Sequence, residues 1–138
     1  MAKQIGTGVW VEGIDELRKR FQRLASVIDS KDMANKIVDA AVTIRDEIKS
    51  RAPVVTGNLK RSVVAKKYSR LTKGNPGAFV AIDYRIGPHA HLVEYGHGGS
   101  NPAPAHPFFR PGVDNKIDIA ERKIKMGVIE VIERAMKR

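Results

Sequence analysis

The sequence predicts an α+β fold: a small, mainly antiparallel β-sheet with a basic β-hairpin, packed against two N-terminal helices and a long C-terminal helix. Three observations predict it. Apolar residues recur at steps of three and four over 14–28, 31–51 and 111–136, which marks one face of an α-helix in each stretch. Between these stretches, 59–68 and 78–84 read as strands on either side of the turn-rich Lys73-Gly74-Asn75-Pro76-Gly77. Finally, 138 residues without a cysteine suit a single domain, 1–138, whose core needs no disulfide.

Met1-Ala2-Lys3-Gln4 is polar and lacks the apolar core of a secretory signal, so none is expected. Val9-Trp10-Val11-Glu12 is β-prone and ends at Gly13, which predicts a short strand over 9–12. Ile14, Leu17, Phe21, Leu24 and Ile28 then form one helical stripe, with Asp15 and Glu16 in the first turn, where acids complement the dipole. Arg18, Lys19, Arg20 and Arg23 lie mostly off that stripe, on a face suited to solvent. Ser30 is placed to cap a second helix whose stripe is Met33, Ile37, Ala41, Ile44 and Ile48, widened by Val38 and Val42. This helix must end near Arg51, because Pro53 turns Ala52 away from helical angles. The short link between the two helices predicts an antiparallel helical hairpin.

Pro53-Val54-Val55-Thr56-Gly57 has the stiff start and permissive end of a turn. The hairpin 59–68 and 78–84 follows, and Lys60 to Lys73 contains six cations and no acid. Lysines of this kind protect an edge strand from aggregation, or make a positive finger for phosphates or an acidic neighbour. A short helix is expected over 89–95, closed by Gly96. Pro111 suits the first turn of the last helix, whose stripe is Ile117, Ala120, Ile124, Val128, Val131 and Ala135. Ile129, Ile132 and Met136 add a second apolar face, which needs a second surface to cover it.

Residues 96–110 stand apart. Glu94 to Gly112 holds four of the seven prolines and four of the twelve glycines, so it is neither helix interior nor central strand. It also holds Phe108-Phe109-Arg110 between Pro107 and Pro111. We read it as a docking arm that buries at least one phenylalanine against a neighbouring subunit or partner protein, with Arg110 meeting a carboxylate, Glu94 of the same or the next chain being the candidate. The other reading is a surface loop that tucks both phenylalanines into its own core.

The net charge of +10 favours an acidic partner, either nucleic acid or an acidic protein surface. No apolar run approaches the roughly 18 residues of a membrane span. All four histidines, His89, His91, His97 and His106, gather around Glu94, but their spacing matches no closed zinc pattern. Gly96-His97-Gly98-Gly99-Ser100 is glycine-rich yet lacks the lysine of a phosphate loop. No serine lies in a nucleophile motif. Neither catalytic residues, nor a cofactor, nor a metal are expected.

Three blocks carry a family resemblance. Ala-Pro-Val-Val-Thr-Gly-Asn-Leu-Lys-Arg-Ser at 52–62 is similar to a Pro-x-x-Thr-Gly-x-Leu-x-x-Ser pattern. His-Ala-His-Leu-Val-Glu-Tyr-Gly-His at 89–97 is similar to a Val-Glu-aromatic-Gly-Thr core, with His97 in place of threonine. Pro-Ala-His-Pro-Phe-Phe-Arg-Pro-Gly at 104–112 is similar to Pro-Phe-Leu-Arg-Pro-Ala, with Phe109 for leucine and Gly112 for alanine. Taken in this order, they resemble the tail-completion, or head–tail joining, proteins of long-tailed bacteriophages and prophages.

The resemblance implies a structural virion protein, assembled in the bacterial host cytoplasm, that forms a ring at the junction of capsid neck and tail tube. It implies a hexamer or dodecamer around genomic DNA, in contact with connector or head-closure proteins and with tail-terminator or tail-tube proteins, and no membrane. Pro53, Thr56, Gly57, Leu59, Glu94 and Gly96 then shape the backbone. Pro107, Phe108, Phe109, Arg110 and Pro111 make the oligomer or partner interface, and Lys66, Lys67, Arg70 and Lys73 face the DNA channel or an acidic partner. Two other readings stay open: a basic nucleic-acid-binding protein, and a small metal-dependent nuclease.

Overall fold

The computed structural model describes residues 3–5, 9–11, 13–28, 30–68 and 77–137. It begins with two paired antiparallel strands, β1 (Lys3–Ile5) and β2 (Val9–Val11). Helix α1 (Ile14–Ile28) and helix α2 (Lys31–Arg51) follow. Ser30 caps α2, its side chain accepting the Met33 N–H at 3.2 Å. At the far end Ala52 leaves helical angles before Pro53 while its N–H still reaches the Ile48 carbonyl at 3.0 Å.

The expected hairpin of the first two helices is corrected. The partner of α2 is the last helix, α5 (Phe109–Met136), which runs antiparallel to it. Lys36 pairs with Glu130 at 2.8 Å, Asp32 with Arg134 at 3.2 Å, and Asn115 donates to Glu47 at 2.8 Å. Small residues decide the pairing. A Cβ at Gly112 would stand 2.6 Å from Ile48 Cγ1 and 2.9 Å from Ile48 Cα, and one at Gly127 would stand 3.0 Å from Lys36 Cβ. At Gly112 only glycine lets the two backbones come this close, and at Gly127 the Lys36 side chain would have to give way. No residue of α1 is buried; it touches α5 and leaves Leu17 and Phe21 in solvent.

The strand expected from residue 59 is also corrected. Gly57 takes φ +79 and starts a helical turn, α3 (Asn58–Ser62), closed by the Arg61 N–H on the Gly57 carbonyl at 3.0 Å. The alternation of 59–62 therefore belongs to a helix too short to show its own period. Strand β3 (Val63–Lys67) follows and pairs antiparallel with β4 (Ala78–Ile82), with Val63 opposite Ile82 and Lys67 opposite Ala78. β4 stops two residues before the expected 84, because the Asp83 carbonyl accepts both the Ile86 and Gly87 N–H groups at 3.0 Å and closes a turn. The hairpin tip, with Arg70 and Lys73, lies outside the described residues.

Helix α4 (Ala90–Tyr95) comes next, and α5 then starts at Phe109, two residues before the expected Pro111. Proline is tolerated there because the first turn has no intrahelical use for its N–H. The core lies where α2, β3, α4 and the start of α5 meet: Ile48, Ala52, Val63, Ala90 and Phe108, with Val80, Ile82, Val93 and Val113 around them. Among the described residues no helix is long and apolar enough to cross a membrane.

Candidate functional site

The three blocks converge on α4. Glu94 is its buried member, 9 % exposed, and its carboxylate lies across the first turn of α5. Oε2 accepts the N–H groups of Phe108 at 2.8 Å and Phe109 at 2.9 Å, and Oε1 accepts that of Arg110 at 3.1 Å. The first N–H groups of a helix have no partner within it, and α5 has no side-chain cap of its own. Glu94, fourteen residues earlier, is that cap, and its charge complements the positive end of the helix dipole. Burial pushes its carboxyl up, but the N–H groups of Phe109, Phe108 and Arg110, with the Arg110 charge, outweigh burial and hold it below its usual value.

This geometry corrects the expected partnership of Glu94 with the Arg110 guanidinium: the carboxylate is filled by main-chain donors, and Arg110 itself is exposed. It also fastens the arm to its own chain and corrects the place of Phe108 in it. Residues 96–110 are pinned to their own chain at several points. His97 and Ala103 exchange N–H···O bonds at 3.0 and 2.9 Å, and the His106 N–H reaches the Val93 carbonyl at 2.8 Å. Gly96 makes the turn out of α4 at φ +71, where a Cβ would stand 2.7 Å from the Ala105 nitrogen. Phe108 is 1 % exposed within the chain's own core, so it has no surface left for a neighbour. Phe109 is half-buried against the same core, Pro111 is half-buried, and Pro107 and Arg110 are exposed.

Ser62, the last residue of the first block, meets Gly87, two residues before the second block. Ser62 is fully buried, donates to the Leu59 carbonyl at 2.6 Å, and would be struck at 2.5 Å by a Cβ on Gly87. Thr56 Oγ1 accepts the Asn58 N–H at 3.4 Å, beside the left-handed Gly57. Pro53, Val55, Leu59, Ile86, Pro88 and Val93 line an open cleft of about 390 Å³ between the blocks. Val55 stands at its rim, 94 % exposed.

Of the predicted basic group, Lys66 and Lys67 are described, and both are exposed. As neighbours in one strand they point to opposite faces of the sheet, so they do not form one cationic surface. Lys66 shares its face with Asp83, whose carboxyl is held at about 2 chiefly by the Arg85 side chain, then by the Arg85 N–H, with Lys66 adding a smaller pull. All four histidines are exposed; His91 stacks on Tyr84 at 6.0 Å, and His97 Nδ1 faces the Gly98 carbonyl at 3.3 Å. Among the described residues no three histidine or carboxylate side chains come together as metal ligands.

Contacts that the sequence did not reveal complete the arrangement: Ser62 with Gly87, Gly112 with Ile48, and the outward aromatics Tyr84 and Tyr95, the latter 81 % exposed. A glycine inside a helical stripe was the available signal for Gly112. Ser62 closes the pattern of the first block, and nothing local signalled the part of Gly87.

A protein-family model, HK97-gp10-like, described as "Bacteriophage HK97-gp10, putative tail-component", matches residues 15–96, well over half of the chain. No curated protein and no solved structure matches. The matched span includes the first block, the second block as far as Gly96, and Glu94, the residue through which the third is held. The chain belongs to the HK97-gp10-like family of bacteriophage tail components.

Proposed function

We propose that this chain is a structural protein of the virion that forms a ring at the head–tail junction and joins the capsid connector to the tail tube around the DNA channel. The observation that carries this reading is the use made of the motif residues. Glu94, Gly96, Gly57, Ser62 and Phe108 are all spent on holding one rigid corner of the fold, while large apolar side chains such as Val55, Tyr95 and Met126 are left outward. Rigid scaffolds with outward apolar and aromatic groups suit assembly more than chemistry. In this reading Pro107, Phe109, Arg110 and Pro111 belong to the partner-facing rim, with Phe109 and Arg110 lying beside Tyr95.

The +10 charge supports a lumen that tolerates DNA. In this reading the hairpin bearing Lys66, Lys67, Arg70 and Lys73 reaches the DNA or an acidic neighbouring ring, with Lys66 and Lys67 on its two opposite faces, and the chain needs no cofactor. Extracts from infections lacking the protein test it. Filled heads and complete but separate tails should accumulate, and purified chain added to them should restore joined, infective particles. Normal particles without the protein, or tails that fail to polymerise, would contradict the proposal.

A further inference from the structure

Hydrogen-bond parity shows which way the edge of the β3–β4 sheet faces. The Asp83 N–H bonds the Ser62 carbonyl at 2.7 Å, and the Tyr68 N–H bonds the Gly77 carbonyl at 3.0 Å. In an antiparallel ladder, bonded and non-bonded pairs alternate. With Val64 opposite Ala81 and Lys66 opposite Phe79, those pairs bond each other. Ala78, Val80 and Ile82 therefore turn both main-chain groups away from β3. Among the described residues no other main-chain group meets them.

This edge is also bare. Monomeric proteins protect edge strands with charge, proline or a bulge. Ala78-Phe79-Val80-Ala81-Ile82 has neither charge nor proline, in a chain with 40 charged residues. Its pair β3 carries Lys66 and Lys67 and presents the outward main-chain groups of Ala65 and Lys67 on the opposite edge.

We infer that β4 is a docking edge whose occupant is β3 of a second copy of this chain, laid antiparallel. Both strands are five residues long. A second β3 antiparallel to β4 runs in the same sense as the first, so the second copy keeps the orientation of the first and offers its own bare β4 to a third. Such a contact is heterologous and repeats until rotation closes it. The inference rests on the ring reading above and names the element that joins the copies.

Hydrogen exchange on the full chain, monomeric and assembled, tests it. Phe79 and Ala81 amides should be protected in both states. Val80 and Ile82 amides should exchange fast in the monomer and slow by more than about tenfold on assembly. Ala78→Pro removes an outward N–H group and no core side chain, so the variant should keep the fold by circular dichroism and lose the oligomer. Oligomers that form while Val80 and Ile82 still exchange fast would overturn the inference and leave the ring reading standing. Protection of those amides only after a different tail protein is added would overturn it too, as would a folded Ala78→Pro chain that assembles normally. A chain that stays monomeric even within joined particles would overturn both.

Discussion

Two apolar stretches of this chain behave oppositely. Phe108 and its surroundings are sealed: the ring is 1 % exposed, packed on Ile48, Ala52, Val63 and Ala90, and locked by three N–H groups on Glu94. The stripe of α1 is open: Leu17 is 53 % and Phe21 61 % exposed, and no residue of the helix is buried. The α1 stripe is the more regular pattern. What separates the two regions is the partner. Around Phe108, four elements converge and Gly112 lets α2 and α5 touch, whereas α1 lies beside the end of α5. Amphipathic periodicity identifies the face that would gain from burial, and packing against a matched surface decides whether it is buried.

Substitutions sharpen or break this contrast. The largest effect is expected from Phe108→Ala, which should cost about 3–5 kcal/mol in denaturant unfolding of the monomer. A loss of assembly with unchanged monomer stability would return Phe108 to an interface. Glu94→Ala strands three N–H groups and should cost about 3 kcal/mol, with Glu94→Gln recovering part of it. The same carboxyl gives the pH dependence. Its folded value lies below the usual 4.5, so its contribution is complete above pH 4.5 and fades as the pH falls through the folded value. Acid unfolding of Glu94→Gln should therefore be shallower than that of the parent, and identical profiles would break the clasp argument.

Gly112→Ala comes next. The added methyl meets Ile48 main chain and side chain, and about 1–3 kcal/mol should be lost despite the better helix propensity of alanine. A stabilised variant would mean that α2 and α5 can part there. The smallest effect belongs to α1: Leu17→Ser with Phe21→Ser should shift monomer stability by no more than about 0.5 kcal/mol per site. A cooperative loss of several times that would place α1 in the core after all.

Much of the fold was legible. The helices showed in their periods, Ser30 and Pro53 bounded α2, and Gly96 ended α4 as its position implied. The pairing of α2 with α5 was not legible, because it depends on Gly112 and Gly127 facing Ile48 and Lys36 across a long separation in sequence. Nor was the helical turn at Asn58–Ser62, where a five-residue alternation fits strand and helix alike. At the candidate site, Glu94 was singled out with the wrong partner. A carboxylate near an arginine suggests an ion pair, and only the fold shows that the nearer donors are the open N–H groups of a helix start.

Imaging tests the central claim most directly. Virions carrying a label fused to this chain, averaged by electron microscopy without imposed symmetry, should show the label as one closed ring of cyclic symmetry between the capsid connector and the first turn of the tail tube. Label spread along the tube, or gathered at the distal tip, would contradict the claim.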